Sequence, residues 1–415
     1  MFRKLMTFNE AKKAISLQLK PQPLSTEELA LLEAHNRVLA EDVMSTLNIP
    51  PFNRSTVDGF ALKAEDTFGA EENNPVTIVV NGMVHIGEPP TISIITGEAA
   101  EIVTGAPIPE GADAVVMVED THREKDALSV YRAVTPSENL MKKGTDIKKG
   151  SIVLKKGQVL GSREIGVIAA LGKAQIKVYS VPTVAVLSTG AEVTEPGKKL
   201  PDGKIFDINA YSLSTAVLES GGKPVYSGVV PDDSAELHAA LEHALACADM
   251  VITSGGVSVG PKDLMPETID ALGKPGLIVS GVAVKPGKPT TVALIGKKPV
   301  FALPGHPTSA LLLFHLLVRP VIQVWAGRPS GETVEAKALA GARMFSARGR
   351  RTFVMVKLKR DTSKRLVAEP VETGASGAIT TLAKADGFVE IPENQQFIDA
   401  DEEVAVTLLK AASVN

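Results

Sequence analysis

The sequence predicts a multidomain protein of class α/β plus β, in which a central three-layer α/β domain is flanked by β-rich domains. Three observations predict this class. The chain has 415 residues, more than one hydrophobic core usually holds. Strand and helix patterns alternate between residues 182 and 328, which is typical of a mostly parallel sheet covered by helices. Strand patterns without helices dominate residues 76–134 and the chain after residue 329.

The amino-terminal part of the chain predicts two helices, because Thr7–Glu10 and Ser25–Glu28 both have the spacing of a capping box. A turn-rich loop, PFNRSTVDGFALKAED, then leads into a β-domain expected over residues 47–140. After it, a strand pattern punctuated by Gly and Lys returns together with a short helix. The β-domain is therefore predicted to be inserted into a segmented linker domain, residues 1–46 and 141–181, whose first helix is free to pack elsewhere.

The α/β domain is predicted over residues 182–328. Its strand candidates are the apolar runs TVAVLS, PVYSGVV, MVIT and KPVFAL, with helical patterns between them and a long helix at Thr308–Trp325. The run Gly327–Gly331 has the composition of a hinge, and residues 329–415 are strand-like again. From the residues alone, these last strands fit either a β-barrel or a sandwich.

Composition narrows the classes of function. The net charge is −4, from 44 basic and 48 acidic residues, which argues against a general nucleic-acid binder. Cys247 is the single cysteine, so an intrachain disulfide is excluded, a Cys-based zinc site is not expected, and a buried, inert thiol is predicted. The amino terminus has no apolar signal-peptide core, and the longest apolar run, Ala310–Val318, is about half a membrane span. A cytoplasmic protein without membrane contact is therefore expected.

Several loops that follow the α/β strands carry glycine or charge. The stretch ADMVITSGGVSVGPKD runs from an apolar strand into a glycine turn, a form that lets an anionic ligand approach the backbone. Glu192, Asp232 and Asp263 lie in such loops, and a stiff turn, KPGKP, supplies Lys285 and Lys288. Because the carboxyl ends of parallel strands share one edge of the sheet, these side chains are expected to converge.

Carboxylates beside phosphate-binding lysines are typical of a bridging divalent ion, and Mg²⁺ fits because no Cys or His cluster competes for it. Structural alternatives stand beside this interpretation. Asp233 with Glu236 predicts a helix cap, and Asp263 could cap the next helix. The loops at Asp58 and Thr104 are equally consistent with plain turns. The common edge, rather than any single residue, favours a site.

Together, these segments resemble the MoeA family of molybdopterin molybdotransferases, whose eukaryotic counterpart is the E domain of gephyrin. The resemblance covers almost the whole chain and is carried by PFNRSTVDGFA, EIVTGAPIP, STGAEV, TSGGVSVGPKD, VAVKPGKP, ALPGHPTSA and TGASGAITTLAKADGFVEIP. It implies a homodimer of four-domain subunits with a MogA-like α/β domain and a carboxyl-terminal β-barrel. The implied reaction inserts molybdate into adenylylated molybdopterin with Mg²⁺ and releases AMP. A MogA-like adenylyltransferase is a candidate partner.

The resemblance also implies roles for individual residues. Asp58 and Thr104 would face the cleft from the second subunit, and Ser376 would border it from the carboxyl-terminal domain, while Asp146 matches an acidic family position. The acidic wall for metal and molybdate would be Glu192, Asp232 and Asp263, and the oxyanion would be held by Lys285 and Lys288. The pterin's phosphate and nucleotide portion would be seated by Ser254, Gly255, Gly256, Ser258, Pro304 and Gly305.

The chain departs from the family pattern at three places. Gly281 and His306 stand where many members have a basic residue and an asparagine, and the arginine that often follows an aromatic residue is absent from Phe353–Met355. Arg350 and Arg351 are candidates to replace that arginine. Two other functions stay open at this point. One is a molybdopterin adenylyltransferase and the other is a non-catalytic scaffold like gephyrin.

Overall fold

The computed structural model describes residues 5–256, 264–329, 334–371 and 379–409. The chain forms two compact units. The first contains residues 1–40, 157–161 and 175–415, and the second contains residues 41–156 and 162–174. Both units are therefore built from more than one stretch of chain. The ranges given above for four domains stay predictions.

The amino-terminal segment confirms one predicted helix and corrects the other. Helix Phe8–Leu19 begins at the predicted capping box, in which Thr7 and Glu10 bond each other's backbone N–H groups. The second helix is wrong, because Thr26–Ala30 is a strand that pairs antiparallel with Gln175–Tyr179. The Ser25 hydroxyl donates to the Ser180 hydroxyl instead of capping a helix. Backbone pairing with a distant strand outweighs the weak local preference for helix.

The centre of the first unit is a six-stranded sheet covered on both faces, as predicted. Four strands are parallel and the last two are antiparallel, in the spatial order Lys223–Val230, Thr183–Thr189, Met250–Ser254, Lys298–Leu303, Thr291–Ile295 and Pro275–Ser280. One face packs on helices Phe8–Leu19, Asn209–Glu219 and the long helix from Pro307 to Trp325. The other packs on Ser234–Cys247 and Met265–Ala271. The two antiparallel strands, Thr291–Ile295 and Pro275–Ser280, were not predicted from the sequence.

The long helix consists of Pro307–Leu313, a π-helical turn at Phe314–Val318 and Arg319–Trp325. Its length and apolar composition would allow it to cross a membrane. Its apolar side chains, Phe314, Leu317 and Ile322 among them, are instead buried in the largest core cluster. It is the core helix of this unit.

The carboxyl-terminal strands close into a barrel, which decides between the two alternatives. Its five strands pair in a ring in the order Arg351–Arg360, Leu366–Pro370, Glu335–Ala340, Glu403–Leu408 and Gly387–Ile391, which returns to the first. The short strand Val284–Lys285 pairs with the beginning of the first barrel strand. Outside the ring lie a small ladder and a short helix: Met344–Phe345, Phe397–Ile398 and Thr380–Lys384.

The second unit is built on another six-stranded sheet. Its order is Ala114–Met117, Gly59–Leu62, Glu98–Ile102, Val76–Val84, Ala127–Val130 and Thr121–Glu124. Strand Gly59–Leu62 corrects the predicted loop, since it is fully buried and paired on both edges. The added β-carbon of a larger residue at Gly59 would lie 1.8 Å from the Val116 carbonyl oxygen. Around the sheet are two small ladders, turns and a helix: Val43–Met44, Ile152–Leu154, Arg54–Ser55, Leu140–Met141, Ala64–Thr67, Val118–Asp120 and Ser162–Ala170.

Candidate active site

A cavity of about 950 Å³ opens at the carboxyl edge of the central sheet of the first unit. The loops that follow four parallel strands contribute to its wall. This is the edge at which the sequence places a site. The predicted residues that the cavity brings together are Glu192, Asp232, Ser254, Gly255, Gly256, Pro304 and Gly305.

The glycine turn forms where three strand ends meet. Gly255 and Gly256 have φ angles of +98° and +65°, which favour glycine. A β-carbon at Gly255 would lie 2.3 Å from the Thr189 carbonyl oxygen, and the Gly255 N–H donates to the Leu303 carbonyl at 3.2 Å. Glycine is therefore needed here both for the backbone angle and for the close approach of the neighbouring strand end.

Two acids border the loop that follows Thr183–Thr189. The N–H of Ala191 donates to Asp232 Oδ2 at 3.3 Å. The Glu192 carboxylate folds back over Gly190, where an added β-carbon would lie 2.8 Å from one of its oxygens. The next residue along the chain from Asp232, Asp233, caps helix Ser234–Cys247, as predicted. The cap role therefore belongs to Asp233, while Asp232 lines the cavity.

The KPGKP segment lies beside the cavity, and among its described residues Pro289 lines the wall. Lys285 is exposed on the short strand next to the barrel, and Lys288 is partly buried. Gly287, with φ +108°, holds the turn against the core helix, because a β-carbon there would lie 2.1 Å from Leu313 Cδ2. The oxyanion role of the two lysines stays a prediction.

The second unit brings Asp58 and Thr104 together. Antiparallel pairing of Gly59 with Ile102 places the two loops side by side. The backbone N–H and the hydroxyl of Thr104 donate to Asp58 Oδ1 at 2.6 and 2.9 Å. These bonds, the backbone one foremost, hold the pKa of Asp58 below its ordinary value, so the exposed carboxylate is charged. Asp146, also in this unit, is exposed. The predicted residues Ser258, Asp263 and Ser376 lie outside the described residues.

Two cavity residues were missed from the sequence. Asp207 Oδ1 accepts hydrogen bonds from the Ser188 hydroxyl at 2.8 Å and from the Ala210 N–H at 3.0 Å. The Asn209 amide donates to Ser254 Oγ and to the Gly305 carbonyl, both at 2.7 Å. The available signal was an acid three residues before Ala210, which predicts a helix start but gives no sign of a cavity.

Models of known protein families match three consecutive segments that cover most of the chain. Residues 6–172 match the MoeA N-terminal region (domain I and II), residues 185–324 match the "Probable molybdopterin binding domain", and residues 337–409 match the MoeA C-terminal region (domain IV). Molybdopterin molybdenumtransferase of Bacillus subtilis is 34% identical over 389 residues, which is 93% of this chain and 90% of that protein. Molybdopterin molybdenumtransferase 2 of Mycobacterium tuberculosis is 34% identical over 380 residues, covering 91% of this chain and 93% of that protein.

A solved structure is similar to this chain over almost its whole length. The crystal structure of a molybdopterin biosynthesis MoeA protein from Pyrococcus horikosii superimposes with a TM-score of 0.85 at 41% identity, and the match covers 99% of this chain and 100% of that one. The chain belongs to the MoeA family. The recognition from six ordered motifs and the carboxyl-terminal segment is therefore confirmed, as is the multidomain fold with a closed five-stranded barrel.

One of the three departures from the MoeA pattern has a local explanation. Gly281 has φ +80°, and a β-carbon there would lie 2.7 Å from Leu5 Cδ2, so glycine suits the position. Arg351 is held by Glu390 at 3.0 Å and Glu393 at 2.9 Å, which makes it a structural link on the barrel. His306 lines the cavity wall.

The prediction of a buried thiol is wrong, since Cys247 is exposed. Helix Ser234–Cys247 buries Leu237, Leu241 and Ala244, and the burial continues at Ala248. With 3.6 residues per turn, position 247 lies about 90° from the middle of that buried stripe.

Proposed function

We propose that this protein inserts molybdate into adenylylated molybdopterin, which releases AMP and completes the molybdenum cofactor. The observation that carries the proposal is the pairing of two acids, Glu192 and Asp232, with a glycine turn in one cavity of the molybdopterin-binding region. The relatives that span the chain, which are named molybdopterin molybdenumtransferases, support the same transferase activity.

The charges in the cavity indicate what the reaction needs. Molybdate and the phosphoanhydride of the substrate are anions, and Glu192 and Asp232 are acids at the same wall. Lys204 lines the cavity and supplies one positive charge. Like charges at close range repel, so further positive charge is needed for all of these groups to share the space. The predicted lysines of KPGKP are the protein's own candidates.

Mg²⁺ is the second candidate, and the donor set fits it. Among the described residues, no group of three or more His, Cys, Asp or Glu side chains is arranged to hold a metal ion. Mg²⁺, however, is commonly held by one or two carboxylates together with substrate phosphates. Glu192 and Asp232 would hold it, with Asp263 as the further predicted ligand. The ion would neutralise the negative charge that develops on the phosphate and molybdate oxygens.

The protein's own groups then position the substrate. The glycine turn lets the ligand approach the backbone closely, because Gly255 and Gly256 carry no side chain into the cavity. The Asn209 amide links Ser254 to Gly305 across the cavity wall, which keeps two loops at a fixed separation. Such preorganisation, rather than covalent chemistry by the protein, is what an oxyanion transfer requires.

We also propose that the working form is a homodimer in the cytoplasm, in which Asp58 and Thr104 of one subunit complete the cavity of the other. The charged, exposed Asp58 carboxylate fits a role toward a metal or molybdate. Mixing inactive Asp58→Ala and Glu192→Ala subunits tests this directly. Random exchange should restore about a quarter of wild-type activity, since half of the dimers would hold one intact site of two. Failure of the exchanged mixture to recover any activity would contradict shared sites.

The transferase activity itself is tested with isosteric variants. Glu192→Gln and Asp232→Asn should lose at least roughly 100-fold in molybdate-dependent AMP release, because each removes a charge that positions cation and oxyanion. Glu195→Gln is the matched control and should retain activity, since Glu195 pairs with Lys198 in the chain segment that follows Glu192. Full activity of both cavity variants would refute the assignment. Adenylylation of molybdopterin from ATP would favour an adenylyltransferase. If the protein carried out neither reaction, a non-catalytic scaffold would be favoured.

A further inference from the structure

Two residues that line the cavity each have a buried side-chain oxygen atom without a hydrogen-bond partner in the protein. These atoms are Asp207 Oδ2 and Asn209 Oδ1. Asp207 is only 4% exposed. Buried polar atoms in folded proteins are nearly always paired with a protein group or an ordered water, so these two acceptors are the cavity's candidates to receive a hydrogen bond from water or from a ligand.

The orientation of both side chains is determined by their other atoms. Asp207 Oδ1 already accepts from the Ser188 hydroxyl and the Ala210 N–H, so Oδ2 is the remaining oxygen. Asn209 Nδ2 donates to the Gly305 carbonyl, which can only accept. A flipped amide would place Oδ1 against that carbonyl oxygen. The unpaired Asn209 atom is therefore the acceptor, and it cannot become a donor by rotation.

An apolar surface lies in the same cavity. Leu200, Ile205 and Phe206 line it and are 42%, 55% and 39% exposed. Ile205 and Phe206 form a short parallel ladder with Val193 and Thr194. An exposed aromatic ring with aliphatic neighbours suits the face of a flat heterocycle, while unpaired acceptors suit its N–H edge.

We propose that Asp207 and Asn209 form an acceptor pair that recognises two N–H donors on the edge of the substrate's pterin ring. This inference rests on the proposed function, because it names the part of that substrate which the pair binds. A pterin carries an amino group next to a ring N–H, which supplies two donors. Adenine presents one amino donor beside ring nitrogens that accept, and an accepting nitrogen facing Asn209 Oδ1 would be repelled. The ribose hydroxyls of the adenylyl group are the other source of paired donors.

The decisive variant is Asp207→Asn. Its amide oxygen can replace Oδ1, which accepts two hydrogen bonds, so its NH₂ group takes the place of Oδ2. An acceptor becomes a donor with little change in shape. Affinity for molybdopterin and for adenylylated molybdopterin should fall 10- to 100-fold, while affinity for AMP should change less than 2-fold. Asp249→Asn is the matched control, because Asp249 accepts from the Thr183 N–H at the start, not the end, of a strand in the same sheet.

A second measurement uses the unchanged protein and so does not depend on the variant's folding. The wild type should bind a simple pterin at least 10-fold more tightly than its 2-dimethylamino analogue, which lacks the amino N–H donors. Equal binding of the two pterins would overturn the proposal. An equal loss of AMP and pterin affinity in Asp207→Asn would also overturn it, by moving the donors to the adenylyl group. If pterin binding follows the prediction but no molybdate is inserted, the proposed function fails and the acceptor pair stands.

Discussion

Replacement of Gly255 by alanine should destabilise the first unit and damage the cavity together. The backbone at Gly255 has φ +98°, and the new β-carbon would lie 2.3 Å from the Thr189 carbonyl oxygen. The positive φ costs about 1–2 kcal/mol for a residue with a side chain. Relief of the overlap requires one strand end to move, at about 1–3 kcal/mol. The expected total is about 2–5 kcal/mol, which corresponds to a melting temperature lower by roughly 5–15 °C.

Gly228→Ala separates the two contributions. Gly228 lies in the same sheet with φ +87°, but no atom lies within 4 Å of an added β-carbon. That variant should therefore lose only about 1–2 kcal/mol from the backbone angle. Thermal unfolding followed by circular dichroism gives both values, and AMP release shows whether the cavity is altered. If Gly255→Ala is no less stable than Gly228→Ala and is fully active, the close-approach argument is wrong.

Three further predictions concern single interactions. Burial holds the pKa of His315 at about 4, below its ordinary 6.5, so on acidification the unfolded chain takes up a proton at this residue before the folded protein does. Between pH 7.5 and pH 5 the free energy of unfolding of the wild type, measured in urea, should therefore fall by about 2 kcal/mol. His315→Leu should not show this loss. Asp233→Ala should cost about 1 kcal/mol of stability through the lost helix cap but keep its activity. Asp232→Ala should keep its stability but lose activity. Similar effects of both variants would contradict the division between cap and cavity. Thr104→Val should raise the pKa of Asp58 part of the way back to 3.8, because one of two donors is removed; an unchanged carboxyl titration by NMR would refute that contribution.

Much of the α/β domain could be predicted because its signals are local. The strand Lys298–Leu303 is an apolar run with turn residues on both sides, and its bounds match the predicted KPVFAL. The capping box at Thr7 is likewise complete within four residues. Once the parallel strands are known, their carboxyl ends must share an edge, so the convergence of Glu192 and Asp232 follows from topology.

The missed elements depend on partners that are distant in sequence. Thr26–Ala30 is a strand only because Gln175–Tyr179 lies beside it, and its own residues fit a helix equally well. Gly59–Leu62 lies inside the sheet only because strands on both sides pair with it. Asp207 is similar, since the hydrogen bond that it accepts from the Ala210 N–H is local, whereas the burial of its second oxygen depends on the folded structure around it. Patterns within one segment cannot contain this information.

The central claim is that the cavity joins molybdate to adenylylated molybdopterin. The most direct measurement incubates the purified protein with adenylylated molybdopterin, Mg²⁺ and molybdate, and follows AMP release and the appearance of cofactor able to reconstitute a cofactor-free molybdenum enzyme. We predict AMP release that requires molybdate and equals the cofactor formed, with both products absent for Glu192→Gln. AMP release without molybdate, or no cofactor from a folded wild-type protein, would contradict the account.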